Sequence, residues 1–146
     1  MGLNMSARGY CILSSLLLFS GCADKEFNVD KAAERGEVNN IHGNITNLDR
    51  FNQFLIDVET HIDSKLRITQ MTDEGDPIYY DLAYKKDKIT YSFDNSEDKF
   101  GKKNVMSTEC NGLASVKVER GISYTLEGCK SSQVGQTFSF VVPDKT

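Results

Sequence analysis

Residues 48–71 read LDRFNQFLIDVETHIDSKLRITQM, and within them the spacing of apolar side chains changes from a helical period to an extended one. The first half carries an apolar residue every three or four positions, at Leu48, Phe51, Leu55, Val58 and Ile62. This spacing predicts a helix with one apolar face, and Thr46 or Asn47 is its expected N-cap. Leu66–Met71 then alternates apolar and polar residues, which predicts a strand. Because such a helix cannot bury its apolar face alone, we expect it to lie across a sheet.

Short strands separated by turn residues are predicted for the rest of the chain. The alternating pattern predicts strands at 66–71, 78–84, 89–93, 105–110, 115–118, 123–126 and 137–142. Glycines punctuate the later strands at Gly112, Gly121, Gly128 and Gly135, as hairpins require. The predicted fold class is therefore α+β, an antiparallel β-meander of about 6–7 short strands with one amphipathic helix packed on one face. Residues 45–146 are expected to form this single domain.

Two cysteines of this region are placed to form a bridge. Cys110 and Cys129 lie almost symmetrically about residues 119–121, so a hairpin turning there would bring them opposite each other or one residue apart. The closed loop of about 20 residues would stabilise the fold by roughly 3 kcal/mol on the chain-entropy model. A structural disulfide is favoured over a pair of reduced thiols, and both over a metal or redox site, because no C-x-x-C is present.

The N-terminus has the pattern of an export signal. An apolar run at 11–19, too short for the ~20 apolar residues of a spanning helix, ends in Ser20-Gly21-Cys22. Residues 18–22 resemble the lipobox of bacterial lipoproteins, although Phe19 stands where the pattern prefers Leu. We expect residues 1–21 to be removed and Cys22 to carry the lipid, which places the domain on the outer face of the cytoplasmic membrane. A buried helix and an ordinary signal peptide are the alternatives.

Residues 22–44 are polar, with only scattered apolar side chains. This composition predicts a tether that lifts the domain from the membrane. The alternative is an N-terminal arm packed on the domain through Val38 and Ile41.

Composition excludes several classes of partner. The formal charge of −4 becomes −5 without Arg8, which argues against nucleic acid and against an anionic bilayer as direct partners. No G-x-S-x-G or H-E-x-x-H motif is present, and His42 and His61 are expected at the surface. Residues 94–98 space carboxylates like a calcium loop but lack its later Gly and Glu. No metal or cofactor is expected.

The remaining candidate for a functional site is an interaction surface on the domain. Tyr79, Tyr80, Tyr84 and Tyr91, with Asp94 and Asp98 of the loop that follows, form the candidate interaction surface if the tyrosines face solvent. The alternative is that the tyrosines pack under the helix. We expect a non-enzymatic binding module with a possible protein partner on the cell surface. The alternative function is a small cell-envelope enzyme or enzyme inhibitor that uses the acidic loop 94–98.

Several segments also resemble a known family. The sequence at 45–51, 66–69, 74–78, 91–95 and 100–101 is similar to an uncharacterised family of lipoproteins, a domain of unknown function, from spore-forming Gram-positive bacteria. The resemblance covers about residues 28–142. It implies an extracytoplasmic location and the two late cysteines as a unit, and it implies no activity, substrate or catalytic residue.

Overall fold

Residues 26–145, the part of the chain that the computed structural model describes, form nine strands and three helices. The helices are α1 (Val29–Glu34), α2 (Leu48–Glu59) and α3 (Ser132–Gly135); the strands are β1 (Val38–Ile41), β2 (Asn44–Thr46), β3 (Ser64–Met71), β4 (Pro77–Lys85), β5 (Lys88–Asp94), β6 (Val105–Cys110), β7 (Gly112–Val118), β8 (Gly121–Glu127) and β9 (Phe140–Pro143). The α+β class is confirmed. The predicted signal peptide at residues 1–21 and the predicted lipidation residue Cys22 lie outside the described residues.

The strands form two sheets rather than one meander. The first sheet has the order β2-β1-β3-β4-β5-β6, and the second has the order β7-β8-β9. Consecutive strands from β3 to β6 pair antiparallel, as the alternating pattern predicts. However, β1 pairs parallel with β3, because the intervening hairpin and α2 supply the crossover that a parallel pair needs. None of the helices within residues 26–145 is long and apolar enough to cross a membrane.

Helix α2 packs its aromatic residues into the core between the two sheets. Phe51 and Phe54 are buried, and the Phe51 ring makes edge contacts with Tyr124 and Phe140 of the second sheet at 4.9 and 4.8 Å. The helix ends at Glu59. Ile62, predicted on its apolar face, therefore follows the helix and is 55% exposed. The structure also contains two further short helices, α1 and α3, beside the one amphipathic helix that was predicted.

The segment predicted as a tether belongs to the domain over the part that the structure describes. Asn28 caps α1, with its side-chain oxygen accepting the Lys31 N–H at 2.9 Å, and Val38 of β1 is fully buried. Asn47 fixes this segment, since its amide donates to the carbonyls of Ala33 and Glu37 at 2.8 and 2.9 Å. A tether over 22–44 is thus incorrect for residues 29–44. The packed N-terminal arm is the arrangement observed.

The disulfide lies where the chain passes from one sheet to the other. Only Asn111 separates β6 from β7, and the β7–β8 register extends to place Cys110 opposite Cys129. Their Cα atoms are 3.8 Å apart and the bond is formed, which confirms the predicted disulfide. The Lys130 N–H donates to the Glu109 carbonyl at 2.9 Å beside it. The bridge therefore joins the first sheet to the segment that leads into α3.

Candidate functional site

The four tyrosines predicted as a surface are buried. Tyr80, Tyr84 and Tyr91 lie on the inner face of the first sheet with exposed fractions of 9%, 5% and 0%. Tyr79 lies on the opposite face but is also only 9% exposed, because Phe27 packs against it at 6.3 Å between ring centroids. An exposed row of tyrosines is therefore incorrect, and the alternative of burial in the core describes three of the four.

The acidic side chains of the predicted loop serve the loop itself. Asp94 Oδ1 accepts the Ser96 N–H at 2.9 Å. Asp98 Oδ1 accepts the N–H groups of Phe100 and Gly101 at 2.9 and 2.8 Å. Both are turn-forming contacts of the kind that aspartate makes in irregular segments. The structure does not bring Asp94 and Asp98 together with the tyrosines as one surface.

The outer face of the first sheet, which points away from α2, carries polar side chains in cross-strand rows. One row contains Lys65, Ala83, Thr90 and Glu109; the next contains Arg67, Asp81, Ser92 and Ser107; a third contains Thr69, Tyr79, Asp94 and Val105. The β3, β4 and β5 members of the first two rows, the α1–β1 connection and Arg50 of α2 line an open cavity of about 400 Å³. We call this cavity the outer groove.

The floor of the outer groove is formed by small side chains, and its border is formed by charged ones. Gly36, Ala83, Thr90 and Ser92 line it and leave room above the sheet, whereas Arg35, Arg50, Lys65 and Arg67 supply cationic side chains around it. Two carboxylates, Glu37 and Asp81, also line the cavity. Cationic side chains thus outnumber carboxylates, although the chain as a whole is acidic. Sequence reasoning missed this groove because its residues come from five separate elements.

Ion pairs hold two of these arginines in place. Arg67 makes a two-pronged contact with Asp81, Nε to Oδ1 at 2.7 Å and Nη2 to Oδ2 at 2.8 Å. This hydrogen bonding raises the pKa of Arg67 above its ordinary value. Arg35 Nε donates to Glu37 Oε1 at 2.7 Å, which raises the pKa of Arg35 in the same way. Both cations are therefore positioned before a ligand arrives.

Tyr79 lies beside the outer groove, in contact with Arg67. The guanidinium carbon of Arg67 lies 4.8 Å from the centroid of the Tyr79 ring, a cation–π contact. The Tyr79 hydroxyl donates to Glu97 Oε1 at 3.1 Å. Burial, and then the negative charge of Glu97, raise the pKa of Tyr79 to about 12. The phenol therefore stays neutral at physiological pH and supports Arg67 from beneath.

The part of the chain that forms the outer groove matches a known protein family. A family model described as "Domain of unknown function (DUF4362)" matches residues 35–125, well over half of the chain. The chain belongs to this family. No curated protein and no solved structure matches the chain. The DUF4362 match begins at Arg35 and ends at residue 125 within β8, so every residue of the outer groove lies inside it.

Two other kinds of side-chain group in this DUF4362 protein bear on chemistry: a histidine–aspartate contact and the residues that could ligate a metal. His61 Nδ1 lies 2.6 Å from Asp87 Oδ1 and 3.2 Å from the Tyr84 hydroxyl, but the histidine and the carboxylate are exposed and no serine or cysteine joins them. The contact with His61 lowers the pKa of Asp87. Within residues 26–145, no three His, Cys, Asp or Glu side chains are grouped closely enough to hold a metal ion.

Proposed function

We propose that the protein is a lipid-anchored binding module on the outer face of the cytoplasmic membrane. Residues 1–21 act as the export signal, and Cys22 carries a diacylglycerol that holds the domain at the membrane. The Cys110–Cys129 disulfide supports this location, since structural disulfides persist in oxidising compartments outside the cytosol. The family of uncharacterised lipoproteins that the sequence resembles has the same location.

The ligand that best fits the outer groove carries an anionic group. The observation that supports this proposal is a cavity with small side chains along the sheet, bordered by Arg35, Arg50, Lys65 and Arg67. Asp81 occupies Nε and one N–H of Nη2 of Arg67, so a ligand carboxylate or phosphate would meet the remaining N–H groups of this positioned guanidinium. A polymer or peptide of the cell envelope with phosphate or carboxylate groups would lie across Ala83 and Ser92.

No observation favours the alternative of a small envelope enzyme that uses loop 94–98. General acid–base catalysis needs a carboxylate free to reach a substrate proton. The oxygens of Asp94 and Asp98 that bond Ser96, Phe100 and Gly101 instead stabilise the turn. Binding is therefore the function that the described side chains support best.

Filling the outer groove tests the binding proposal. The mature protein is titrated with inorganic polyphosphate and, separately, with a short polyglutamate peptide, and chemical-shift changes are followed by NMR. We expect saturable binding of at least one probe, weakened by at least tenfold in Ala83→Trp, because the indole would occupy the cavity. Ala114→Trp is the matched control, since Ala114 lies on the second sheet, on the face opposite the core residue Leu113. Equal binding by both variants, or no saturable binding of either probe, would contradict the proposal.

Membrane fractionation tests the anchor. Cys22→Ala should move the protein from the membrane fraction to the soluble fraction, because no acyl acceptor remains. Cys11→Ala, a cysteine-to-alanine change inside the export signal, should leave the protein in the membrane fraction. A wild-type protein that is already soluble would exclude the anchor.

A further inference from the structure

We propose that residues 99–103 form a second membrane contact, which docks the anchored domain on an anionic bilayer in one orientation. This inference rests on the proposed lipid at Cys22. The contact goes beyond anchoring, because a lipid on a long tether would leave the domain free to rotate, whereas two contacts on one side of the domain would fix it.

The linker between anchor and domain is short. Phe27 packs on Tyr79, and Asn28 begins α1, so the folded domain starts five residues after Cys22. Five residues of fully extended chain span at most about 18 Å. A lipid at Cys22 would therefore hold the side of the domain that carries Phe27 close to the lipid headgroups. The predicted tether of 23 residues would have imposed no such limit.

The loop lies on the same side of the molecule as the start of the domain. Glu26 and Phe27 line a cavity of about 730 Å³ together with Lys99 and Lys103 of the loop, and its other lining residues include the carboxylates Glu74, Asp76 and Glu97. The membrane that receives the lipid at Cys22 is thus the surface nearest to this loop. Proximity to the anchor identifies the partner as a bilayer.

The loop has the chemistry of a membrane-surface contact. Residues 99–103 read KFGKK, with three lysines and no carboxylate. Phe100 is 76% exposed, more than any other exposed large hydrophobic residue in the described part of the chain. Val105, at the base of the loop, is 66% exposed. An aromatic ring that enters the headgroup region beside lysines that meet anionic phosphates is a recognised combination for peripheral membrane binding.

Hydrogen bonds hold the loop in the shape that presents Phe100. Asp98 accepts the N–H groups of Phe100 and Gly101, and the buried Asp76 accepts the Lys99 N–H at 2.9 Å. The Asn95 amide donates to the Lys102 carbonyl at 3.0 Å. Because these contacts order the loop in advance, less conformational entropy is lost when it docks. Asp98, one of the carboxylates that resembled a calcium loop, thus supports this tip.

The overall charge favours one orientation. The mature chain has a formal charge of −5, so most of its surface is repelled by anionic lipid. The basic tip, with the exposed Phe100 beside Lys102 and Lys103, lies next to the anchored end of the domain, which distinguishes it from the other basic segments of the chain. The argument from total charge against direct bilayer contact therefore applies to the surface as a whole and not to this loop.

A single introduced tryptophan tests the docking directly, because the chain contains none. Phe100→Trp is purified with its lipid and reconstituted into vesicles of phosphatidylglycerol and phosphatidylcholine. We expect its emission to shift to shorter wavelength and to be quenched by brominated acyl chains. Val116→Trp, at a 63% exposed position on β7, is the matched control and should show neither effect. Adding Lys102→Glu and Lys103→Glu to Phe100→Trp should abolish the shift.

Each outcome separates this contact from the anchor. A lipidated, vesicle-bound Phe100→Trp protein with unshifted emission would overturn the loop contact and leave the anchor intact. An equal shift at Val116→Trp would overturn the single orientation. Intact mass of each sample reports the lipid on Cys22. If the mass shows no lipid, the anchor fails, and the loop contact is then judged by whether added phosphatidylglycerol vesicles still shift the Phe100→Trp emission.

Discussion

At the scale of single residues, Gly135 is where the disulfide limits the sequence. A Cβ at this buried position in α3 would lie 2.5 Å from Cys129 Sγ and 2.9 Å from Cys129 Cβ. Neither sulfur nor Cβ can retreat easily, because the bridge ties Cys129 to β6. The glycine is therefore required by packing and not by an unusual backbone angle.

Replacing Gly135 with alanine should destabilise the fold. Overpacking costs about 1–3 kcal/mol, whereas alanine gains at most about 1 kcal/mol of helix propensity, so we expect a net loss of about 1–2 kcal/mol. Urea unfolding measures this difference. Gly112→Ala is the control, because a Cβ there would meet only Glu127 Oε1 at 3.7 Å. Equal stability of the Gly135→Ala variant and the wild type would show that the disulfide adjusts freely.

Buried phenols make stability depend on alkaline pH. Burial raises the pKa of Tyr79, Tyr80, Tyr84 and Tyr91 above the ordinary value, to about 12 for Tyr79. In the unfolded chain these groups ionise near pH 10. The unfolded state thus loses protons that the folded state keeps, and the free energy of unfolding should fall as pH rises from about 10 to about 12.

Tyr79→Phe isolates one contribution to this dependence. The variant removes one ionisable phenol without removing the ring, so its unfolding free energy should fall less steeply with alkaline pH than that of the wild type. Urea unfolding at a series of pH values above 9, with tyrosinate absorbance recorded in parallel, measures both quantities. Identical slopes for the two proteins would mean that Tyr79 ionises normally.

At the scale of elements, β7 is an edge strand whose protection depends on one lysine. Within the described chain, β7 pairs only with β8. Lys117 lies opposite Ile122, on the sheet face that carries Val142 toward the core, and its ammonium contacts Asp144 at 2.6 Å. A charge on the inward face of an edge strand discourages pairing with another chain.

Lys117→Val should therefore increase self-association. Without the charge, β7 presents an apolar edge, with Val116 and Val118 already exposed, to a second copy. Sedimentation velocity over a range of concentrations should show a larger species than in the wild type. Lys130→Val removes another exposed lysine, which lies outside the strands, and this variant should not associate. A monomeric Lys117→Val protein would exclude this role for Lys117.

Helices and strands could be predicted from the sequence where the apolar spacing repeats several times and each strand pairs with its neighbour along the chain. The β3–β6 meander follows from the alternating spacing, and the symmetric cysteines predicted the bridge. The β1 strand could not be recognised, because it has four residues, buries the polar Asn39 and pairs with a distant strand. The short α3 (Ser132–Gly135) has no apolar repeat, and the last strand begins at Phe140 rather than at the predicted residue 137.

The site was harder to predict than the elements, for a physical reason. Period-two alternation shows that Tyr79 and Tyr80 face opposite sides of β4, but it does not show which side is covered. Coverage here depends on Phe27, fifty-two residues earlier in the chain. The outer groove likewise exists only once the α1–β1 connection is folded against the sheet.

At the scale of the whole molecule, the folded N-terminal arm shortens the linker between the proposed lipid anchor and the domain. The domain begins at Phe27, so a lipid at Cys22 would hold it against the bilayer with only a few residues between them. Arg67 of the outer groove contacts Tyr79, and the Tyr79 hydroxyl donates to Glu97, two residues before the basic loop.

The central claim, a lipid-anchored and disulfide-bonded domain outside the cell, is tested most directly by intact mass. The protein is purified from its native membrane and measured with and without reduction and alkylation. We predict a chain that begins at Cys22 with a diacylglycerol attached, and a Cys110–Cys129 bridge that resists alkylation until it is reduced. A mass without lipid, or thiols that alkylate before reduction, would contradict the account.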